Sequence, residues 1–365
     1  MSLFSKRTWR NFDVVLLATV LLLLVYGTAM IGSATQGTED LRYLWQRHAI
    51  NAVSGLILMM LIAAFDYRFY ENLHRPLYIL VVASLLILLA LGEVTQGVQR
   101  WIGANAIQPS ELAKVVVIIG LAKLLADRDG QMDRMRNVLI SLGYVLVPMG
   151  LIYLQPNLST AVTIGLIWCM MVLMAGARLL HLVILGLGGV IVSPLFWLTL
   201  KEYMRDRILL FLNPANNPDT FYNVQQALIS IGSGGLLGKG FASGTQSQLR
   251  FLRVRHTDYI FSVIGEELGL LGAFVLLGLF ALLIWRILRV AAITGDPFGR
   301  LICVGVASIV FIQASINIGV NLGLLPVTGL PLPFVSYGGS SLWTFLIALG
   351  LVESVAMRHK KLTFE

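Results

Sequence analysis

Residues 14–33 read VVLLATVLLLLVYGTAMIGS, twenty positions without a charge. A helix rises 1.5 Å per residue and needs about 20 apolar residues to cross ~30 Å of hydrocarbon, so this stretch predicts a transmembrane helix. Lys6, Arg7 and Arg10 precede it as they would a secretory leader, but its apolar core exceeds the ~7–15 residues of a leader and it stays a span. Nine further stretches follow: 49–65, 77–92, 109–126, 138–154, 158–175, 179–200, 258–285, 301–325 and 339–357. Composition agrees, because 57% of the 365 residues are hydrophobic and only 13% charged, against about 25% charged in an average soluble domain. A soluble globule is excluded, and so are disordered or collagen-like chains, which need low hydrophobicity or heavy Pro and Gly bias. Cys169 and Cys303 each sit in an apolar run, where a thiol acts as a small hydrophobe, so there is no disulfide framework. The fold class is an all-α polytopic membrane protein of about ten transmembrane helices with one large extracytoplasmic loop between helices 7 and 8. The expected organisation is one membrane domain over 1–365: helices 1–7 in 14–200, the loop at 201–257, helices 8–10 in 258–357, and a short cytoplasmic tail, 358–365.

The net charge of +8 is read first as orientation. Sixteen Lys and Arg fall on the side holding both termini and ten on the other, and seven of those ten lie in 201–257, a segment long enough to weaken its vote. Both termini are therefore expected in the cytoplasm. Even-numbered helices then start at the outer face with the positive ends of their dipoles, where anions are favoured. The outer loop carries turn residues from Asn213 to Pro218, an amphipathic YNVQQALISIG that reads as a short helix, and the Gly-rich GSGGLLGKG.

Charges within a span are functional candidates until a structural partner is found. Glu111 and Lys114 share one face of helix four three residues apart, which suits either a structural ion pair or catalysis. Glu266 and Glu267 fall about 12 Å into helix eight as drawn, for hydrogen bonding or for substrate and proton handling. Asp258 stands where the basic loop meets that helix, as a cap or as a base. Between Thr220 and Thr257 the chain has Lys239, Arg250, Arg253 and Arg255 and no Asp or Glu, so the natural guest is a polyanion, with lipid headgroups as the plainer alternative. A carboxylate among arginines is expected to have its pKa lowered and to serve as a general base beside a phosphate-bearing group. The run ending Gly238-Lys239 is not a P-loop, because Ser233 takes the first glycine position and Gly240 follows the lysine. The five histidines show no ligand spacing, and only His256, beside Asp258, stands out. Ser336 and Ser340, in GLPLPFVSYGGSS (329–341), offer turn and cap chemistry or close backbone approach to a ligand at a helix N-terminus.

QPSELAK (108–114), QPNLSTA (155–161), IGSGGLLGKG (231–240), HTDYIFSVIGEELG (256–269) and NIGVNLGLLPVTGLPLPFVSYGGSS (317–341) resemble the signatures of the SEDS family of bacterial cell-shape, division and sporulation proteins. The resemblance covers nearly the whole chain and lies nearer the elongation branch than the division branch. It implies a ten-helix peptidoglycan glycosyltransferase that polymerises lipid II, the undecaprenyl-diphosphate disaccharide-pentapeptide, at the outer face of the cytoplasmic membrane. The family's essential carboxylate corresponds to Asp258, its helix-four Glu and Lys to Glu111 and Lys114, and an arginine near the start of helix two to Arg47. The chain departs from the family pattern at Arg253 and Val254, at Asn157 and Ser159, and at His48, none of which touches Asp258.

The expected reaction is removal of the acceptor GlcNAc 4-hydroxyl proton by Asp258, attack on the donor MurNAc anomeric carbon with inversion, and departure of undecaprenyl diphosphate. Lys239, Arg250, Arg253 and Arg255 are the expected cations for the leaving group, with room for a loosely bound divalent ion (Mg or Mn) and no organic cofactor. Arg47, Gln108, Glu111, Lys114, Thr257, Ser336 and Ser340 complete the substrate-binding set. Expected partners are a class B penicillin-binding protein transpeptidase and other elongation-complex membrane proteins, and no nucleic acid. The rival classes are a lipid II flippase, which needs polar groups through the whole bilayer thickness, and a non-enzymatic scaffold.

Overall fold

The computed structural model describes residues 9–37, 39–91, 108–213, 218–249, 251–252 and 254–358. Its helices are α1 Val14–Thr35, α2 Leu44–Ala64, α3 Tyr67–Leu91, α4 Pro109–Ala126, α5 Met135–Leu154, α6 Leu158–Met174, α7 Leu179–Thr199, α8 Glu202–Leu212, α9 Pro218–Gly234, α10 Thr245–Gln248, α11 Ile260–Glu267, α12 Gly269–Ile293, α13 Pro297–Asn321 and α14 Gly339–Arg358. Eight of these are long and apolar enough to cross a membrane. The more charged α4 and the shorter α6 complete a bundle of eight to ten spans.

Helices α13 and α14 are buried along most of their length and form the centre, with α2, α4, α6 and α12 packed around them. Glycine lets α2 and α14 approach closely: a Cβ on Gly350 would stand 2.6 Å from the Met59 carbonyl oxygen. Helix α7 lies outside this centre, and His181 is its one buried residue. Both ends of the described chain meet at one end of the bundle, where the Asp13 N–H donates to Glu353 Oε1 at 2.5 Å and Arg286 Nη2 pairs with Asp13 Oδ2 at 2.6 Å. Helices α8 to α10 lie between the seventh and eighth spans, at the opposite end.

Three expected boundaries change. The second span starts at Leu44, so Arg47 and His48 lie in the first turns of α2 rather than before it. The third starts at Tyr67 and runs through Pro76, carrying Arg68, Glu71 and Arg75 on a helix that continues past its apolar stretch. The eighth is split into α11 and α12, and α12 continues to Ile293. The split is built from glycine. Gly269 has φ +65°, and Gly238, φ +80°, lies so close that a Cβ on it would be 2.2 Å from the Glu267 carbonyl oxygen. The Gly-rich stretch satisfies the backbone at the break: Lys239 N–H donates to Glu266 O and Gly240 N–H to Glu267 O, both at 3.0 Å, while Leu270 N–H donates to Gly235 O at 3.0 Å. The glycines that mimic a P-loop therefore receive a helix end.

Candidate active site

The site is built on α13. Gln313, Asn317 and Asn321 recur every four residues in a mostly apolar helix, so their amides share one face. Asn317 Nδ2 donates to the Asp258 carbonyl at 3.0 Å and to Leu330 O at 2.8 Å, and Asn321 Nδ2 also donates to the Asp258 carbonyl at 2.8 Å. Asn321 Oδ1 accepts from Ser262 N at 3.1 Å and Ser262 Oγ at 2.7 Å, fixing the first turn of α11. Ser336 Oγ donates to the Thr257 carbonyl at 2.5 Å and accepts from Leu332 N at 2.8 Å. Three side chains thus hold two consecutive carbonyls of the 254–259 turn.

The Asp258 carboxylate is not consumed by this scaffold. It does not cap α11, whose N-cap is Tyr259 and lacks a side-chain cap bond. Its oxygen faces Gly329, φ +71°, where a Cβ would stand 3.8 Å from Oδ2. Burial raises the Asp258 pKa, and the Arg207 guanidinium and a hydrogen bond with Thr257 only partly oppose it. That reverses the expected lowering: desolvation outweighs the cation, and the result is a stronger base. His256, two residues earlier, is half-buried with no hydrogen bond to Nδ1 among the described residues, and burial followed by the Arg255 charge lowers its pKa. Its ring lies 6.1 Å from that of Tyr337, which is 6.5 Å from His48 on the other side.

Glu111 and Lys114 form a saturated pair. Lys114 Nζ donates to Glu111 Oε1 at 2.8 Å, to Glu111 Oε2 at 2.9 Å and to Gln313 Oε1 at 2.9 Å, with the Lys114 side chain fully buried. Gln313 Nε2 passes the connection to Pro331 O at 3.0 Å. The amide stripe therefore joins this pair to the 326–338 loop and to Asp258. Gln108 is the N-cap of α4, and its N–H donates to Ser340 Oγ at 3.0 Å, closing α4 onto the start of α14.

Lys239 and Arg255, the expected loop cations among the described residues, do not converge on Asp258. Lys239 Nζ pairs with Glu266 at 2.9 Å, and Glu266 also accepts from Thr245 Oγ1, Gln246 N and Ser247 N. Glu267 accepts from Ser33 Oγ, from Ala242 N at 3.1 Å and from Ser247 Oγ at 3.4 Å. Both carboxylates hold the Gly-rich loop against α1 and α11 rather than lying deep in the eighth span. Arg255 is buried and donates to Ala34 O and Leu252 O. Arg47 is exposed on α2. Arg250 and Arg253 lie outside the described residues.

Among the described residues the cation that reaches the site is Arg207 on α8, which sequence reasoning missed because Glu202 and Asp206 hide it in a mixed-charge run. The α13 stripe was also missed, though amides at intervals of four within an apolar helix were a legible signal. Among the described residues no group of three His, Cys, Asp or Glu could hold a metal ion.

Comparison with known proteins places this geometry. The family model described as "Cell cycle protein" (FtsW/RodA/SpoVE) matches residues 9–361. The chain is 38% identical over 360 residues to "Peptidoglycan glycosyltransferase MrdB" of Escherichia coli K12, covering 97% of this chain and 95% of that one. Its fold is similar to the Rod shape determining protein RodA of Thermus thermophilus, with TM-score 0.72, 31% identity and coverage of 97% and 99% of the two chains. It is also similar to a chain of a solved peptidoglycan synthase complex described as coordinating polymerization and crosslinking, with TM-score 0.81, 32% identity and coverage of 95% and 98%. The chain belongs to the FtsW/RodA/SpoVE family of multi-pass membrane proteins.

Proposed function

We propose that this peptidoglycan glycosyltransferase polymerises lipid II at the outer face of the cytoplasmic membrane in cell elongation, with Asp258 as general base. One observation carries the reading: a carboxylate of raised basicity stands unconsumed in a turn whose carbonyls are pinned by Ser336, Asn317 and Asn321. A general base works best when its position is fixed and its pKa lies nearer the working pH, and this turn supplies both. Asp258 takes the proton of the acceptor 4-hydroxyl, the freed oxygen attacks the donor anomeric carbon with inversion, and undecaprenyl diphosphate departs. Holding two lipid-linked sugars in one groove contributes orientation, worth several kcal/mol of barrier in the effective-molarity sense. Thr257 orients the carboxylate, while Gln108, Glu111, Lys114, Ser336 and Ser340 position the walls of the site rather than touch the reacting atoms. Arg47, exposed on α2, and Arg250 and Arg253 then attract the anionic substrate, while Lys239 and Arg255 brace the loop that carries the site.

The end of the bundle that carries Asp258 is opposite the termini, and the positive-inside count supports an extracytoplasmic location for it. Relatedness to RodA and MrdB supports the elongation role, and similarity to a chain from a peptidoglycan synthase complex supports a class B penicillin-binding protein as partner. The direct test incubates purified protein with lipid II, alone and with that transpeptidase, and resolves glycan strands. Polymer supports the proposal; absence of polymer in both samples, with lipid II moved across reconstituted vesicles instead, replaces it with a flippase.

A further inference from the structure

A departing diphosphate needs positive charge, and the two expected loop cations among the described residues are used elsewhere: Lys239 on Glu266, and Arg255 on the carbonyls of Ala34 and Leu252. Arg207 stands differently. Its Nη1 donates to the Thr328 carbonyl at 3.2 Å, and the next residue, Gly329, is the one facing Asp258 Oδ2. The same carbonyl accepts from Ser159 Oγ at 2.7 Å, so α6 and α8 share one anchor on the 326–338 loop. Tyr203, one turn before Arg207, lies under the guanidinium at 5.8 Å and donates from its hydroxyl to Pro156 O at 2.5 Å, tying α8 to the start of α6. Among the described residues the remaining guanidinium nitrogens of Arg207 donate no hydrogen bond. A planar fork held at one corner, with its other donors uncommitted, matches the oxygens of a diphosphate.

We propose that Arg207 is the leaving-group cation, binding the donor's diphosphate and balancing the charge that develops on it in the transition state. The inference rests on Asp258 being the base. In that step the acceptor proton goes to Asp258, the acceptor oxygen forms the new bond to the anomeric carbon, the anomeric carbon–phosphate oxygen bond breaks, and its electron pair leaves on the diphosphate. No oxidant or reductant is required.

The test measures lipid II polymerisation across pH for the full-length protein and its Arg207→Gln, Arg207→Lys and Asp258→Asn variants. Loss of one preorganised donor to developing charge predicts a fall of about 10²–10³ in kcat for Arg207→Gln, exceeding any rise in KM. Lysine, which keeps the charge, should recover much of it. Among the described residues the charged or titratable groups acting on Asp258 are Arg207 from α8 and Tyr259 from its own turn, with His256 two residues before it; α13 presents only the neutral Asn317 and Asn321. Removing Arg207 should therefore move the acid limb of the rate profile to higher pH, and lysine should move it back. Full kcat in Arg207→Gln overturns the proposal. So does equal impairment of both variants with an unmoved acid limb, which would make Arg207 a brace for the loop. If the glutamine variant fails to insert, the lysine variant decides: weaker inhibition by added undecaprenyl diphosphate supports the proposal and unchanged inhibition overturns it. An inactive Asp258→Asn beside a fully active Arg207→Gln removes this inference alone, whereas an active Asp258→Asn removes the base as well.

Discussion

At Asp258 two effects compete, and their order decides the chemistry. Burial penalises the ionised carboxylate more than Arg207 and Thr257 reward it, so the group is a stronger base than a solvated aspartate. A base acts only when deprotonated, so activity should fall as pH drops through this raised pKa. The acid limb of kcat/KM is accordingly expected above the ordinary aspartate value of about 3.9, and a limb at or below that value would contradict the burial argument. The residue was legible in the sequence as the one acid ending a basic, acid-free stretch. Its environment was not, because the expected cations, Lys239 and Arg255, are bound by acids and carbonyls that only folding brings near. Arg207 was hidden for the complementary reason: Glu202 and Asp206 offset it in sequence, and the carbonyl it bonds, Thr328, lies in a distant segment.

Among the elements, α13 organises the site and α4 depends on it. The Lys114 ammonium uses all three protons on Glu111 and Gln313, so its charge is bought by a complete bonding shell within the bundle. Removing only one partner strands a buried charge. Lys114→Met should therefore lower stability by about 3–5 kcal/mol, and the double change with Glu111→Leu should recover much of that loss, as read by thermal unfolding in detergent. A double variant no better than the single one would show that the pair's worth lies outside this geometry. The spans were largely legible because hydrocarbon thickness dictates their length. Their ends were not: α2 and α3 continue past the apolar stretch through Arg47 and Arg68, and the break between α11 and α12 leaves no mark in hydropathy. The signal for that break was glycine, at 238 and 269, in segments about thirty residues apart whose contact is set by the tertiary fold.

For the whole molecule, the account requires α8 to α11 and the Asp258 turn to lie outside the cytoplasm. Leu237 is exposed in the Gly-rich loop and reports on that face. In a background with Cys169 and Cys303 replaced, Leu237→Cys should react with a membrane-impermeant maleimide added to intact spheroplasts. Reaction only after permeabilisation would invert the topology and remove the enzyme's access to an outer-face substrate. The fold class could be read from span count, since hydrocarbon thickness sets the length of each apolar stretch. The amide stripe linking Glu111, Lys114 and Asp258 needed the structure, because it joins residues of α4, α13 and the 254–259 turn.

The most direct measurement is the rate of lipid II polymerisation by Asp258→Asn, with its thermal unfolding compared with that of the parent protein. The substitution preserves shape and removes the proton acceptor. An unchanged unfolding profile is expected, with a rate lower by about 10²–10⁴, the usual contribution of a positioned base. Strand synthesis at the parent rate would contradict it.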